Sequence, residues 1–184
     1  VWDLNLPQRY FELDPEGRPR FVYLNRNYLH VEPDLYGGYY AWCDTNCTVP
    51  SNWQTTAITT FLPGTGQWEP LQKAALAFTS AGQPRLVGEL APLQGETGIY
   101  YLACDSDCDQ RASWQRTRLA DRGQGPDLSW DLEINGQDQP RVVYAPAALP
   151  DGSGEQLYYA WCNDACLDTS NWQQTNLGLG LKNG

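Results

Sequence analysis

The sequence predicts an all-β protein built from three tandem repeats, each folding as a four-stranded antiparallel sheet. A motif of two tyrosines, a Cys-x-x-x-Cys pair and Trp-Gln-x-Thr occurs three times in 184 residues. Each repeat also holds four short segments rich in aromatic and β-branched residues, and no stretch keeps a 3.6-residue apolar period. Self-similarity at a regular spacing identifies a tandem array, whose period sets the boundaries of its units.

The repeated motif uses every cysteine of the chain. Its copies read YYAWCDTNC, YYLACDSDC and YYAWCNDAC, and in each copy a tryptophan follows ten residues after the first cysteine. The first cysteines lie 61 and 58 residues apart. This period divides the chain into unit 1 (1–67), unit 2 (68–129) and unit 3 (130–184).

Each unit contains the same four predicted strands in the same order. The first ends at a turn, the second begins with Pro-Arg, the third contains the tyrosine pair, and the fourth follows the tryptophan. Differences in length fall between the second and third strands or between units, so these segments are predicted to be loops. The first strand and its turn are predicted within 9–17, 73–82 and 131–137. The other predicted strands are 19–24, 37–43 and 53–58 in unit 1, 84–90, 98–104 and 114–119 in unit 2, and 140–144, 157–162 and 172–177 in unit 3.

The cysteine spacing predicts three local disulfides. Four residues of extended strand span about 13 Å, whereas bridged Cα atoms lie within about 7 Å, so the chain must turn between the two cysteines. The intervening residues are mostly turn formers. A zinc site is disfavoured because the only histidine, His30, lies outside every copy of the motif. The predicted pairs are Cys43–Cys47, Cys104–Cys108 and Cys162–Cys166.

Composition favours an extracellular or cell-surface protein. Disulfides persist in oxidising compartments, and a net charge of −10 disfavours nucleic acid or an anionic membrane as the main partner. No apolar run approaches the roughly 20 residues that span a bilayer. The chain contains no methionine, so we expect it to be processed or to be a piece of a longer protein.

The order of motifs resembles the blades of bacterial β-propellers. Gly-x-Pro-Arg-x-Val-Tyr (17–23), a loop, the tyrosine pair, a polar turn and a tryptophan are similar in layout to Asp-box (sialidase-type) repeats. The Asp-box turn itself is replaced by a turn closed by cysteines. Propellers commonly have about four to eight blades, so three blades imply a fragment, a ring closed by several chains, or an open stack. The β-trefoil, a closed fold of three repeats, is the alternative.

The repeated and unrepeated side chains predict different roles. The tyrosines and the motif tryptophans occur in every copy and are predicted to form the core between sheets. Trp42 and Trp161 have Ala103 as their counterpart in unit 2, so they are the candidate ligand-binding residues, as an exposed stacking platform. The arginines of the second strands are predicted to pair with acidic or carbonyl groups between blades; they are Arg20, Arg85 and Arg141.

Metal and catalytic signals are weak. Asp105, Asp107 and Asp109 alternate as in calcium loops, but no glycine or bidentate glutamate completes the pattern. A single histidine disfavours a Ser-His-Asp arrangement. No spacing of Asp and Glu residues in the sequence identifies the pair of catalytic carboxylates that a glycosidase uses.

The sequence therefore predicts a non-catalytic, extracellular binding or assembly module without a cofactor. Its partner is expected to be the protein itself or a larger assembly. One alternative is a lectin that binds glycans through Trp42, Trp161 and the loops near 27–38 and 145–156. A sialidase-like glycoside hydrolase fragment is a further alternative.

Overall fold

Three four-stranded antiparallel sheets make up most of the structure. The computed structural model describes residues 10–25, 37–59, 61–62, 67–68, 71–90, 97–121, 129–145 and 156–178. The strands of each four-stranded sheet follow one another in chain order. Sheet 1 contains β1 (Phe11–Leu13), β2 (Pro19–Asn25), β3 (Gly37–Trp42) and β4 (Gln54–Ala57). A short hairpin, β5 (Phe61–Leu62) and β6 (Gln67–Trp68), follows.

Sheets 2 and 3 repeat the arrangement of sheet 1. Sheet 2 contains β7 (Leu71–Phe78), β8 (Pro84–Leu90), β9 (Gly98–Ala103) and β10 (Gln115–Asp121). Sheet 3 contains β11 (Ser129–Ile134), β12 (Pro140–Ala145), β13 (Tyr158–Trp161) and β14 (Gln173–Asn176). The prediction of an all-β fold with three four-stranded sheets is confirmed. The described strands form separate sheets and not the closed barrel that a β-trefoil requires.

The turn between the first two strands of each sheet is closed by a side chain at one repeated position. Asp14 Oδ1 accepts hydrogen bonds from the backbone N–H groups of Glu16 and Arg18. Thr79 and Asn135 accept equivalent bonds in sheets 2 and 3. These are the local turns that Asp, Asn and Thr favour. The following strand then begins at a proline, which is tolerated at the first residue of a strand.

Sheet 2 lies between sheets 1 and 3 and is buried on both faces. Alternate residues of its strands point to opposite sides. Leu76 and Leu86 pack towards sheet 1, together with Tyr40. Val87 packs towards sheet 3, where Val142 meets it. The two central strands of sheet 2, β8 and β9, are therefore buried along almost their whole length, as expected for a sheet covered on both sides.

The first strand of sheet 2 contacts both neighbouring sheets. β7 contacts β1, β2 and β3 of sheet 1 and β11 of sheet 3. Sheets 1 and 2 approach each other tightly at Gly38 in β3, where an added Cβ would lie 2.7 Å from the Cβ of Leu71. Glycine in a strand commonly marks such an approach of a neighbouring chain segment.

Candidate functional site

The three disulfides close the turns that lead from the third strand of each sheet to the fourth. Cys43–Cys47, Cys104–Cys108 and Cys162–Cys166 each have a Cα–Cα distance of 5.7 Å. The residue before each second cysteine has a positive φ: 52° at Asn46, 52° at Asp107 and 49° at Ala165. A short 3-10 turn follows in each sheet, at Pro50–Asn52, Arg111–Ser113 and Thr169–Asn171.

Two side chains fix each disulfide turn from opposite sides. The indole of the motif tryptophan donates to the carbonyl of the second cysteine, as in Trp114 to Cys108 at 3.1 Å. The arginine of the second strand donates to the carbonyl of the first cysteine, as in Arg85 to Cys104 at 2.9 Å. The same pairs of bonds occur in the other two sheets.

The arginines act within their own sheets. Besides the cysteine carbonyl, Arg85 binds Asp105 at 2.7 Å, and Arg141 binds Asn163 at 2.9 Å. The prediction that these arginines pair with acidic or carbonyl groups is confirmed. The prediction that they do so between blades is wrong, because the cysteine turn returns next to the second strand of the same sheet.

Sheet 1 contains an additional buried carboxylate. The side chain of Asp14 binds the guanidinium groups of both Arg18 and Arg20 at 2.7 Å. Asp14 is only 4% exposed. Burial alone would raise the pKa of this carboxyl, but the hydrogen bonds from Arg18 and the charges of both arginines outweigh burial and hold the pKa below its usual value.

A single aromatic contact is repeated between neighbouring sheets. The rings of Trp114 and Tyr40 form an edge-to-face pair with centroids 5.4 Å apart, and those of Trp172 and Tyr101 form another at 5.2 Å, both with an interplanar angle of 61°. Burial raises the pKa of Tyr101 to about 12, so its hydroxyl stays neutral at physiological pH. In each case the tryptophan of one sheet packs on the tyrosine of the preceding sheet. This agrees with the predicted core role of these residues.

The two predicted ligand-binding tryptophans have different surroundings. Trp42 stacks on Tyr40 at 5.8 Å and packs into the apolar cluster between sheets 1 and 2. Its exposure is intermediate, as is that of Trp161, so its predicted role in ligand binding stays a prediction. Trp161 stacks on Tyr159 at 5.4 Å and is partly exposed. The structure therefore does not bring the two tryptophans together into one site.

The outward faces of the first and third sheets carry large apolar side chains. The outer face of sheet 1 is the side opposite Tyr40; there Trp53 packs on Phe21 at 5.1 Å, and Phe11 is 55% exposed. The outer face of sheet 3 carries Tyr159 and Trp161 on one strand, with Val143 opposite Tyr159. These two faces are referred to below as the end faces.

A cleft lies between sheets 2 and 3 at the end that carries the disulfide turns. Its volume is about 640 Å³. Tyr101 and Ala103 line it from sheet 2, and Asp138 and Asp168 line it from sheet 3. Ala103 occupies the position of Trp42, whose indole packs at the equivalent place between sheets 1 and 2. Ala103 itself is only 4% exposed, so neighbouring residues already cover this position.

The remaining sequence hypotheses gain no structural support. Within the described ranges, no three His, Cys, Asp or Glu side chains are grouped so that they could hold a metal ion, including the Asp105–Asp109 turn. In the same residues no helix is long and apolar enough to span a membrane. His30 and most of the predicted binding loops, at 27–36 and 146–155, lie outside the described residues.

Comparison with known proteins gives a weak structural likeness. No protein-family model matches the chain, and no curated protein is similar to it. The structure is similar to that of a fucose lectin from Kordia zhangzhouensis, solved in complex with methyl-fucoside. The two are 16% identical, the TM-score is 0.49, and the match covers 90% of this chain and 95% of the lectin. This likeness is too weak to assign a function to the chain.

Proposed function

We propose that this chain is a non-catalytic, extracellular assembly module that continues its stack of sheets into a second copy of itself. The observation that carries the proposal is the repeated contact between sheets. Trp114 packs on Tyr40 and Trp172 packs on Tyr101. Trp53 and Tyr159 are the two halves of the same contact, and they lie on opposite end faces of the stack.

The chemistry of the end faces suits a neighbouring sheet. Phe11 and Leu13 are 55% and 53% exposed on one end face, and Val143 is 37% exposed on the other. Exposed clusters of large apolar side chains typically mark interaction surfaces. The joint that already connects sheets 1, 2 and 3 would connect the end face of sheet 3 to that of sheet 1 in another copy. Such a head-to-tail contact is heterologous, and it closes into a ring when its rotation allows.

A ring of two copies would contain six sheets and would form a β-propeller. Each sheet is a four-stranded meander, and the first strand of sheet 2 contacts both neighbouring sheets. Propeller blades have this form, and rings of about four to eight blades are common. The three disulfides fit an oxidising, extracellular setting.

Sedimentation equilibrium of the protein and of end-face variants tests this proposal. We expect the wild type to form a closed dimer, and Val143→Lys or Phe11→Lys to shift each protein to a monomer. Val49→Lys is the matched control, because Val49 is 44% exposed but lies in the loop after the first disulfide. An equimolar mixture of the two end-face variants should form an open heterodimer with one intact joint, since the unaltered face of each variant meets the unaltered face of the other.

Two results would contradict the proposal. A wild-type monomer at all concentrations would exclude self-assembly. Dimer formation by both Val143→Lys and Phe11→Lys, each measured alone, would exclude the head-to-tail contact. The alternative role of Trp161 as a sugar-stacking platform uses the same end face. A wild-type monomer that binds a sugar and loses this binding in Trp161→Ala would favour that lectin function instead.

A further inference from the structure

The turns that join the first two strands of each sheet also connect neighbouring sheets. They have the same length in all three sheets and are referred to below as turn 1 (14–17), turn 2 (79–82) and turn 3 (135–138). In each turn the N–H of the fourth residue donates to the carbonyl of the first, as in Asp138 to Asn135 at 2.9 Å. Because the turns share one geometry, their positions can be compared directly between sheets.

Between sheets 2 and 3, these turns are joined by a pair of hydrogen bonds. The carboxylate of Asp138, the fourth residue of turn 3, accepts from the hydroxyl and from the backbone N–H of Ser80, both at 2.6 Å. Ser80 is the second residue of turn 2. These bonds lower the pKa of the exposed Asp138 carboxyl, so it is ionised at physiological pH. We refer to this pair of bonds as the latch.

The same positions approach each other between sheets 1 and 2. Gly82 is the fourth residue of turn 2, and a Cβ added there would lie 3.8 Å from Pro15 Cδ and 3.6 Å from Glu16 Oε2. Pro15 and Glu16 are the second and third residues of turn 1. A latch cannot form here, because Gly82 has no carboxylate and Pro15 has no N–H. In both joints, therefore, the fourth residue of a turn lies against the second or third residue of the preceding turn.

The corresponding positions at the two ends of the stack are both glycines. Gly17 is the fourth residue of turn 1, and Gly136 is the second residue of turn 3. A Cβ added at either glycine would meet nothing within 4 Å among the described residues. Continuing the regular contact into another copy of the chain places Gly17 of that copy against Gly136. Since neither glycine has a side chain, the latch of sheets 2 and 3 cannot form between copies.

We propose that turn 1 of one copy docks on turn 3 of the next, and that the assembly opens and exchanges copies at this joint. This inference rests on the proposed self-assembly. Within one copy, neighbouring sheets are also connected by the chain, so a sheet that separates stays at a high effective concentration near its neighbour. The joint between copies lacks both the chain connection and the latch. It is therefore the weakest joint, and the end faces are covered reversibly.

Installing the latch between copies tests this docking. The double variant Gly17→Asp/Gly136→Ser supplies the carboxylate and the hydroxyl that Asp138 and Ser80 supply in the latch. Gly17 has φ 76° and Asp138 has φ 59°, so the backbone of turn 1 suits an aspartate at this position. Two charge-assisted hydrogen bonds in each joint should slow the exchange of copies by about tenfold or more. Exchange is followed by fluorescence energy transfer after mixing donor-labelled with acceptor-labelled protein.

Two matched variants vary the number of donors that face the introduced carboxylate. Gly17→Asp alone keeps the backbone N–H of Gly136 as one donor, so its exchange should be slowed to an intermediate extent. Gly17→Asp/Gly136→Pro removes that donor and copies Pro15 of turn 1. It should exchange copies as fast as the wild type. If the double variant with serine does not fold, the comparison of Gly17→Asp with the proline variant decides the question.

The possible results separate this inference from the assembly proposal. A wild type that is monomeric at all concentrations would exclude both. A wild-type dimer whose exchange is not slowed by Gly17→Asp/Gly136→Ser, relative to the proline variant, would show that the turns do not meet, and only the present inference would fail. A wild-type dimer that exchanges no copies would also overturn it, because the joint would then not be reversible.

Discussion

Replacing Gly38 with alanine should force sheets 1 and 2 apart. The added Cβ would lie 2.7 Å from Leu71 Cβ and 3.0 Å from Thr59 Oγ1. Carbon atoms in contact are normally about 3.5–4.0 Å apart, so one strand must move by about 1 Å. Leu71 Cβ is fixed by its backbone and cannot escape by a rotamer change. Thr59 is fully buried, and its hydroxyl accepts a hydrogen bond from the N–H of Gly38 at 2.9 Å.

The expected decrease in the free energy of unfolding is large enough to measure by urea denaturation. Overpacking a core costs about 1–3 kcal/mol; we expect about 2–3 kcal/mol for Gly38→Ala, equivalent to a fall in Tm of about 5–10 °C for a chain of this size. Gly136→Ala is the control, because a Cβ there meets nothing within 4 Å. It should be neutral or slightly stabilising. If the free energies of unfolding of Gly38→Ala and this control differ by less than about 0.5 kcal/mol, sheets 1 and 2 do not pack tightly at Gly38.

Two further predictions concern single side chains. Ala165 holds a positive φ of 49° where the equivalent residues are Asn46 and Asp107; Ala165→Asn should stabilise the protein by about 0.5–1 kcal/mol, and a lower Tm would refute that. The pKa of Asp14 is held below its usual value, so its ionised form stabilises the fold above about pH 4, and this contribution disappears as the pH falls through the lowered pKa. Unfolding measured from pH 7 to pH 2 should show a steeper loss for the wild type than for Asp14→Asn, and equal slopes would contradict this.

The repeat period was sufficient to predict the sheets. Each strand position recurs three times with a proline or a tyrosine pair to mark it, and the spacing of the cysteines requires a turn in each copy. These are local properties of the chain, so they could be predicted without knowing how the sheets pack.

The period could not predict which neighbour each face meets. Trp42 and Trp161 occupy the same position in the motif, yet Trp42 packs against sheet 2 while Trp161 lies on an end face. The order of the sheets makes this difference, and the motif does not encode that order. In the sequence, Ala103 differs from Trp42 and Trp161 at the same position of the motif. The binding prediction was based on the two tryptophans and not on the alanine.

The paired clamps on each disulfide turn have a consequence for oxidative folding. Arg85 binds the carbonyl of Cys104, and Trp114 binds that of Cys108. Neither bond involves sulfur, so both can form while the thiols are still reduced. Each turn can therefore bring its own two cysteines together before oxidation and disfavour exchange with those of other units. Six cysteines could in principle form many wrong pairs; here the arginine and the tryptophan select the correct partner within each unit.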